Sequence, residues 1–260
     1  MNILFEMNMY LLVFLMSSFN WLMTVLGASL VFLVKKESQK LISIALGIAA
    51  GIMIAASFFS LLLPAIEQLE SRISLCIVPI GFLTGGMFLR LCDKYLPHEH
   101  VISHELEGVK SPLSKNKLLF LAMTLHNIPE GMAVGIAFAG AGNHLLPAMI
   151  LSIGIGIQNF PEGTALSLPM HQSGISRLKS MMYGQLSALV EIPSALLGFV
   201  FASFFHGILP FALSFAAGAM MFVCIEELIP EANATKEVDA GTVSFMIGFI
   251  IMMFLDIIFG

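Results

Sequence analysis

The chain has 260 residues, of which 58% are hydrophobic and only 11% are charged, and its net charge is −5. Soluble domains carry about 25% charged residues, so this composition excludes an ordinary soluble domain and indicates a protein embedded in lipid, for which we expect no nucleic-acid partner. The three cysteines, Cys76, Cys92 and Cys224, are scattered in or beside apolar runs and predict no disulfide framework.

Apolar runs of roughly twenty residues, the length that crosses a bilayer as a helix, recur along the whole chain. Only helices satisfy their backbone hydrogen bonds within one such run, so we predict an all-α polytopic membrane protein with a single transmembrane domain, 1–260. The first residues, MNILFE, lack a basic region, and no cleaved signal peptide is expected. The eight predicted spans are 9–34, 41–63, 73–91, 118–138, 145–168, 181–203, 208–229 and 241–259.

Lysine and arginine are distributed very unevenly between the two sides of this arrangement. With the N-terminus outside, eleven of the twelve lysine and arginine residues lie in or beside the loops that follow spans one, three, five and seven. Only Arg72 lies on the opposite side. Because cytoplasmic loops are enriched in these residues, we predict that both termini are extracytoplasmic and that the one sizeable loop, 92–117, is cytoplasmic.

Several carboxylates lie where lipid should be. A charge at the bilayer centre costs about 3 kcal/mol on insertion scales, and no lysine or arginine lies in the middle of a span to pair with it. These side chains are therefore expected to face the protein interior and to bind protons or cations. They are Glu130, Glu162, Glu191, Glu226 and Glu227, in or at the edges of spans four to seven.

Spans four and five carry similar motifs, HNIPEG at 126–131 and QNFPEG at 158–163. His126 and Glu130 are four residues apart and share one helical face. Pro129 leaves a backbone carbonyl without its helical donor and is expected to bend span four. Because the two spans are antiparallel in this topology, the motifs indicate a local two-fold pseudo-symmetry, and transporters commonly build midplane sites from interrupted helices at such an interface.

The donor atoms of these motifs narrow the chemistry. Imidazole, carboxylate and amide groups together suit transition metals such as Zn²⁺, Fe²⁺ and Mn²⁺, whereas an all-oxygen set would indicate Ca²⁺, Mg²⁺ or Na⁺. A Ca²⁺ or Na⁺ exchanger remains the alternative, although His126 disfavours it. An intramembrane hydrolase is disfavoured because neither H-E-x-x-H nor G-x-S-x-G occurs, so no enzyme activity is expected.

The paired motifs resemble those of the ZIP (Zrt-/Irt-like) divalent metal transporter family. The Gln-Asn form of the second motif, EIPSALLG at 191–198, EELIPEA at 226–232 and the ending MMFLDIIFG are similar to its bacterial GufA-like branch. The resemblance covers all eight spans. It implies eight helices with both termini outside, in agreement with the distribution of lysine and arginine, and antiparallel metal-binding helices four and five at the centre.

The resemblance also implies two adjacent metal sites, with Glu130 and Glu162 shared between them. An amide at Asn159, where some relatives carry an aspartate, weakens the second site. Met53 matches a thioether neighbour of the primary site. The residues that match the primary site are His126, Glu130, Gln158 and Glu162. Those that match the second site are Asn127, Asn159 and Glu191.

Two features near the cytoplasmic side are further candidates. Glu226 and Glu227 are expected to form an exit site with Asp93. The loop residues either catch a metal that leaves the pore or belong to an ordinary solvated loop, and the sequence leaves both interpretations open. These loop residues are His98, Glu99, His100, His104 and Glu105.

The function implied by the resemblance is transport of Zn²⁺, with Fe²⁺, Mn²⁺ and Cd²⁺ as further candidates, into the cytoplasm. The metal is a substrate and no cofactor is expected. The resemblance implies an elevator-like shift of spans one, four, five and six against spans two, three, seven and eight. It also implies a homodimer, surrounded by lipid, in a bacterial inner membrane.

Overall fold

The computed structural model describes residues 8–34, 39–69, 76–95, 98–99, 106–107, 114–142, 144–234 and 238–259. These residues form eight long helical segments and one pair of two-residue antiparallel strands. The strands are β1 (His98–Glu99) and β2 (Leu106–Glu107). The helices are α1 (Met9–Phe32), α2 (Gln39–Glu67), α3 (Ile77–Tyr95), α4 (Lys115–Gly140), α5 (Leu145–Gln172), α6 (Arg177–Phe204), α7 (Leu209–Asn233) and α8 (Val238–Phe259).

Within the described part of the chain, five helices are long and apolar enough to cross a membrane: α1, α2, α6, α7 and α8. The apolar part of α3, Ile77–Cys92, is shorter. Helices α4 and α5 have 26 and 28 residues, more than a bilayer requires, but the polar motifs interrupt their apolar stretches. The prediction of a helical multi-pass membrane protein is therefore confirmed, and the more polar long helices are those that carry the motifs.

Seven of the eight helical segments extend beyond the spans predicted for them, including the four that follow, which do so by three or four residues at one end. Helix α4 begins at Lys115, α5 continues to Gln172, α6 begins at Arg177 and α7 ends at Asn233. The predicted bounds marked the ends of apolar runs. A helix needs only its own backbone hydrogen bonds, so it continues into polar sequence, and the predicted spans were too short at these ends.

Helical irregularities occur elsewhere than the motifs suggested. Helices α4 and α5 remain continuous although Pro129 and Pro161 lie inside them. Helix α6 is interrupted by a turn at 189–190. The chain forms π-helix at Ser57–Leu62 in α2 and at Cys224–Leu228 in α7, each just before a proline. The bend expected at Pro129 produces no break in α4, and the irregular segments fall in the neighbouring helices α2, α6 and α7.

The helices pack in four close pairs, α1 with α5, α4 with α6, α2 with α8 and α3 with α7. Swapping the labels α1 with α6, α2 with α7, α3 with α8 and α4 with α5 turns this set of four pairs into itself. This pattern has the two-fold relation that the paired motifs predicted. Each pair is held by glycines at which an added Cβ would lie within about 2.5 Å of a backbone carbonyl on the other helix, so small residues set the helix separation.

Two adjacent glycines in α3 provide a matched test of this packing. A Cβ at Gly85 would lie 2.0 Å from the carbonyl oxygen of Phe215, whereas a Cβ at Gly86 would lie 3.5 Å from that of Gly218. Overpacking of this kind typically costs about 1–3 kcal/mol. We expect Gly85→Ala to lower the melting temperature of the purified protein in detergent by several degrees, and Gly86→Ala to leave it unchanged. Equal melting temperatures would contradict this packing.

Candidate metal centre

The two motifs place their polar side chains in the middle of α4 and α5, inside the bundle. The four-residue and three-residue spacings within each motif put these groups on adjoining parts of one helical face. None of the six is more than 5% exposed. They are His126, Asn127 and Glu130 on α4, and Gln158, Asn159 and Glu162 on α5.

Glu191 joins this centre from α6. It is the first residue of the helical segment Glu191–Phe204, directly after the turn, and it is fully buried. A Cβ at Gly131 would lie 2.5 Å from the backbone oxygen of Glu191. The glycine of the first motif therefore lets α4 approach the backbone that carries the third carboxylate. Gly163 of the second motif has the same role against α1, where an added Cβ would lie 2.3 Å from the oxygen of Thr24.

Two amide side chains of α5 donate hydrogen bonds to two of the carboxylates. The Nε2 of Gln158 donates to Oε1 of Glu130 at 2.9 Å, and the Nδ2 of Asn159 donates to Oε1 of Glu191 at 2.7 Å. Consecutive residues of α5 thus hold a carboxylate of α4 and one of α6. Each amide keeps its own oxygen for another partner. Asn127 differs, since its Nδ2 donates to the carbonyl of Met123 on its own helix at 2.8 Å.

Helix α7 contributes Glu227, which contacts the first motif directly. Its Oε1 lies 2.5 Å from Nε2 of His126, and its side chain is buried. Its neighbour Glu226 is exposed. The structure therefore brings Glu227 into the centre and leaves Glu226 outside it. A third acid of the same segment, Glu231, is also buried, and the sequence analysis did not assign it.

Six buried oxygen atoms at this centre have no hydrogen-bond partner among the described residues. A buried oxygen left in this way costs about 1–3 kcal/mol, and the segments 126–140, 145–172 and 180–229 contain no lysine or arginine. The three carboxylates also lie close together, because Gln158 and Asn159 of α5 hold Glu130 and Glu191 while Glu162 lies one turn further along the same helix. Like charges in one buried site repel one another. The six atoms are Glu130 Oε2, Gln158 Oε1, Asn159 Oδ1, Glu191 Oε2 and both carboxylate oxygens of Glu162.

Such an arrangement can bind a cation, which would satisfy several of these oxygens and reduce the repulsion between the carboxylates. Among the described residues, no three histidine, cysteine, aspartate or glutamate side chains already converge as a metal cage. The donors include amides, and some of them are bonded to one another. A bound metal would therefore replace hydrogen bonds such as that between Gln158 and Glu130.

Helices α2 and α7 each bring one sulfur-containing side chain into the interior of the bundle. Met53 is almost completely buried. One turn away from Met53, the carbonyl of Ala50 lies 3.8 Å from the thiol of Cys224 in α7, which is fully buried. The sequence analysis treated Cys224 as an ordinary membrane residue. Its position three residues before Glu227, on the same helix, was the feature of the sequence that could have indicated a place near the centre.

Asn20 of α1 is another buried polar residue that the sequence analysis missed. Its backbone oxygen accepts a hydrogen bond from Nδ2 of Asn159 at 3.3 Å. The hydroxyl of Ser152 lies 3.3 Å from its side-chain amide. An asparagine in the middle of an apolar span was a signal for this role. Asn20 helps to hold α1 and α5 in register beside the centre.

The remaining predicted residues lie outside what the structure describes. His100, His104 and Glu105 are not among the described residues, and the side chains of Asp93, His98 and Glu99 are not described either. The proposed exit site of Asp93 with Glu226 and Glu227, and the loop interpretation, therefore remain predictions.

Comparison with known proteins identifies relatives of this chain over most of its length. The family model described as ZIP zinc transporter matches residues 103–256, which include both motifs. The chain is 36% identical to the zinc transporter GufA of Myxococcus xanthus, over 91% of this chain and 94% of GufA. It is 35% identical to the zinc transporter ZIP11 of Xenopus tropicalis, with the same two coverages. It is 34% identical to ZIPB of Bordetella bronchiseptica, over 91% of this chain and 78% of ZIPB. The chain belongs to the ZIP zinc transporter family.

Proposed function

We propose that this protein transports divalent transition-metal ions, Zn²⁺ above all, through the centre formed by α4, α5 and α6. The observation that carries this is the set of six unpartnered buried oxygens on the motif residues and Glu191. The ion is the transported substrate, and the protein needs no catalytic activity for this role. His126, Glu130, Gln158 and Glu162 hold the first ion, while Asn127, Asn159 and Glu191 form the second site.

The donors favour transition metals over hard cations. A buried imidazole at His126 and a buried thioether at Met53 add little to the binding of Ca²⁺ or Na⁺, which prefer oxygen ligands. The named relatives are zinc transporters. Glu227, which touches His126, is placed to receive an ion from the first site as it leaves.

All eight helices cross the membrane in this proposal, with both termini outside. Helices α4 and α5, with 26 and 28 residues, are roughly 40 Å long at 1.5 Å per residue, which exceeds the hydrocarbon thickness of about 30 Å. The polar motif residues of α4 and α5 face the interior of the bundle. These residues are the reason why the two helices are less apolar than the other long helices. The distribution of lysine and arginine supports the orientation.

The direction of transport is into the cytoplasm, by movement of α1, α4, α5 and α6 against α2, α3, α7 and α8. All four close helix pairs keep this division, because each pair joins two helices of the same group. The contact between His126 and Glu227 joins the two groups and has to break during the movement. A homodimer in a bacterial inner membrane completes the proposal.

Uptake into proteoliposomes tests this function. Initial rates are measured for Zn²⁺, Fe²⁺, Mn²⁺, Cd²⁺ and Ca²⁺ with the same preparation, and empty liposomes are the control. We expect saturable uptake of transition metals and none of Ca²⁺. Saturable Ca²⁺ uptake with no Zn²⁺ uptake would favour the exchanger instead.

Acidification should weaken apparent metal affinity, because protons compete with metal for Glu130, Glu162 and His126. We expect the KM for Zn²⁺ to rise several-fold between about pH 7.5 and about pH 5.5, the range in which protons compete with metal for an imidazole. The measurement uses equal pH on both sides of the proteoliposome membrane, so that no proton gradient contributes. A KM that is constant over this range would contradict direct ligation by these groups.

A further inference from the structure

Three buried sulfur-containing side chains lie at one level of the bundle, on three helices that carry neither motif. They are Met53 of α2, Cys224 of α7 and Met252 of α8. Helix α2 shows that they share a level. The carbonyl of Ala50 lies 3.8 Å from the thiol of Cys224, and a Cβ added at Gly154 of α5 would lie 2.3 Å from Sδ of Met252 and 3.9 Å from Ile52. The three side chains, called the sulfur wall below, therefore lie within about one helical turn of each other along α2.

Helix α5 places the primary metal site beside this wall. Helices α2 and α5 run antiparallel, because the end of α2 and the start of α5 line the same cavity while Gly154 lies next to Ile52. Gln158 lies four residues, or roughly 6 Å, beyond Gly154, in the direction that leads along α2 from Ile52 towards Ala50. The thiol of Cys224 contacts Ala50, so its height is between those of Gly154 and Gln158.

Helix α4 gives the same height independently. Helices α4 and α7 also run antiparallel, because Nε2 of His126 contacts Glu227 while a Cβ added at Gly140 would lie 2.8 Å from the side chain of Leu209. Cys224 precedes Glu227 by three residues on α7. It therefore lies beside the turn of α4 that follows His126, between the two ligands of the first motif.

Cys224 faces the interior of the bundle rather than its surface. It is buried together with Glu227, whereas Ile225 between them is exposed. At the same height, Oε2 of Glu130 and both carboxylate oxygens of Glu162 are buried and have no hydrogen-bond partner among the described residues. An ion that these oxygens hold is therefore bound beside the sulfur wall.

Thiol and thioether donors favour soft metal ions over hard ones. Cd²⁺ is larger and more polarisable than Zn²⁺, and Mn²⁺ is harder than either, so a sulfur ligand adds most to the binding of Cd²⁺ and least to that of Mn²⁺. A cysteine binds metal as the thiolate, and metal binding releases its proton. The thiol of Cys224 has only the weak contact with Ala50 to give up.

We propose that Cys224, with Met53 and Met252 beside it, determines the metal preference of this transporter by giving the ion in the primary site a sulfur ligand from outside the two motifs. This inference rests on the transport function proposed above and specifies its substrate class as soft divalent ions, represented by Cd²⁺. Loss of the thiol should weaken the binding of Cd²⁺ selectively.

Cys224→Ser tests the thiol with little change in shape. The serine hydroxyl can still donate to the carbonyl of Ala50, so the variant removes chiefly the sulfur atom. In proteoliposomes, we expect the KM for Cd²⁺ to rise about five- to tenfold and that for Zn²⁺ about twofold, with Mn²⁺ unchanged, because a soft ligand contributes most to the softest ion. Cys92→Ser, at a partly exposed cysteine of α3, is the matched control and should change none of these values.

Met252→Leu is the second variant. Exchange of methionine for leucine conserves volume and is well tolerated in buried sites, so it removes the thioether and keeps the packing. We expect it to raise the KM for Cd²⁺ about twofold and to leave that for Mn²⁺ unchanged, since a thioether is a weaker ligand than a thiolate. This variant remains informative if Cys224→Ser folds poorly.

An ultraviolet charge-transfer band from thiolate to metal provides a readout that does not depend on transport. Cd²⁺ alone is added to purified Cys76→Ser/Cys92→Ser protein, in which Cys224 is the one cysteine left. The same protein with Cys224→Ser added is the blank. We expect the band in the first protein and none in the second.

Three results would overturn the sulfur ligand. The first is a KM that rises equally for Cd²⁺ and Mn²⁺, which indicates a packing role. The second is no band at Cd²⁺ concentrations that saturate uptake. The third is a band with an unchanged KM for Cd²⁺, which places the thiol off the transport path. The transport function fails separately, if the wild-type protein takes up none of the three metals. Zinc uptake that is lost in Glu130→Gln, with an unchanged metal preference in Cys224→Ser, refutes only the sulfur ligand.

Discussion

Replacing Glu130 by glutamine should abolish zinc uptake. Glutamine keeps the size of the side chain and an oxygen that can accept the hydrogen bond from Gln158, so it removes chiefly the negative charge. Glu130 is fully buried, and its unpartnered Oε2 is shared by both proposed metal sites. We expect initial uptake rates to fall at least about 100-fold, which corresponds to about 2.7 kcal/mol at 1.36 kcal/mol per tenfold change.

The measurement needs rates normalised to the amount of reconstituted protein, because a change at a buried position can also reduce folding. A melting temperature close to wild type would show that Glu130→Gln folds. It should, since the substitution removes repulsion from Glu162 rather than adding it. An uptake rate within about tenfold of wild type would show that metal transport does not depend on this carboxylate.

The sequence predicted the fold where length and apolarity determine it. Apolar runs predicted a helical membrane protein, and five of the described helices are long and apolar enough to cross a membrane. It did not predict the turn before Glu191 or the π-helical segments of α2 and α7. A proline weakens a helix locally, but whether the helix breaks depends on what packs around it. Pro129 and Pro161 remain inside continuous helices, while the breaks occur in the neighbouring helices.

The centre was predicted as a set of donors, and the structure adds their partners. Spacing alone placed His126 and Glu130 on one face. It could not distinguish Glu226 from Glu227, because adjacent carboxylates in one run look equivalent until packing buries one of them against His126. The pairing of Asn159 with Glu191 joins residues 32 positions apart, and only the approach of α4 and α6 at Gly131 explains why Glu191 belongs to the centre.

The glycines that end the two motifs also have a role that the sequence left open. They set the distances between α4 and α6 and between α1 and α5. Each motif therefore combines ligands with the contact that positions a neighbouring helix. That combination gives a physical reason for the motif to occur twice, once on each helix of the pseudo-symmetric pair.

Replacing Glu191 by glutamine should lower zinc uptake only about three- to tenfold, or about 0.7–1.4 kcal/mol. Glu191 belongs to the second site alone, and one of its oxygens already accepts a hydrogen bond from Asn159 at 2.7 Å. The amide at Asn159 supplies no charge, so we expect the proposed second site to bind an ion weakly and one metal per cycle to suffice. Asn127→Ala should have a smaller effect still, because its amide donates to its own helix at Met123.

Glu191→Gln and Glu130→Gln form a matched pair, since both exchange a fully buried carboxylate for an amide of the same shape that can still accept a hydrogen bond from α5. Any loss common to both variants reports on burial and folding. The difference between them reports on the two metal sites. If Glu191→Gln is as inactive as Glu130→Gln while both proteins melt like wild type, transport requires two ions, and the interpretation of Asn159 as the residue that makes the second site dispensable is wrong.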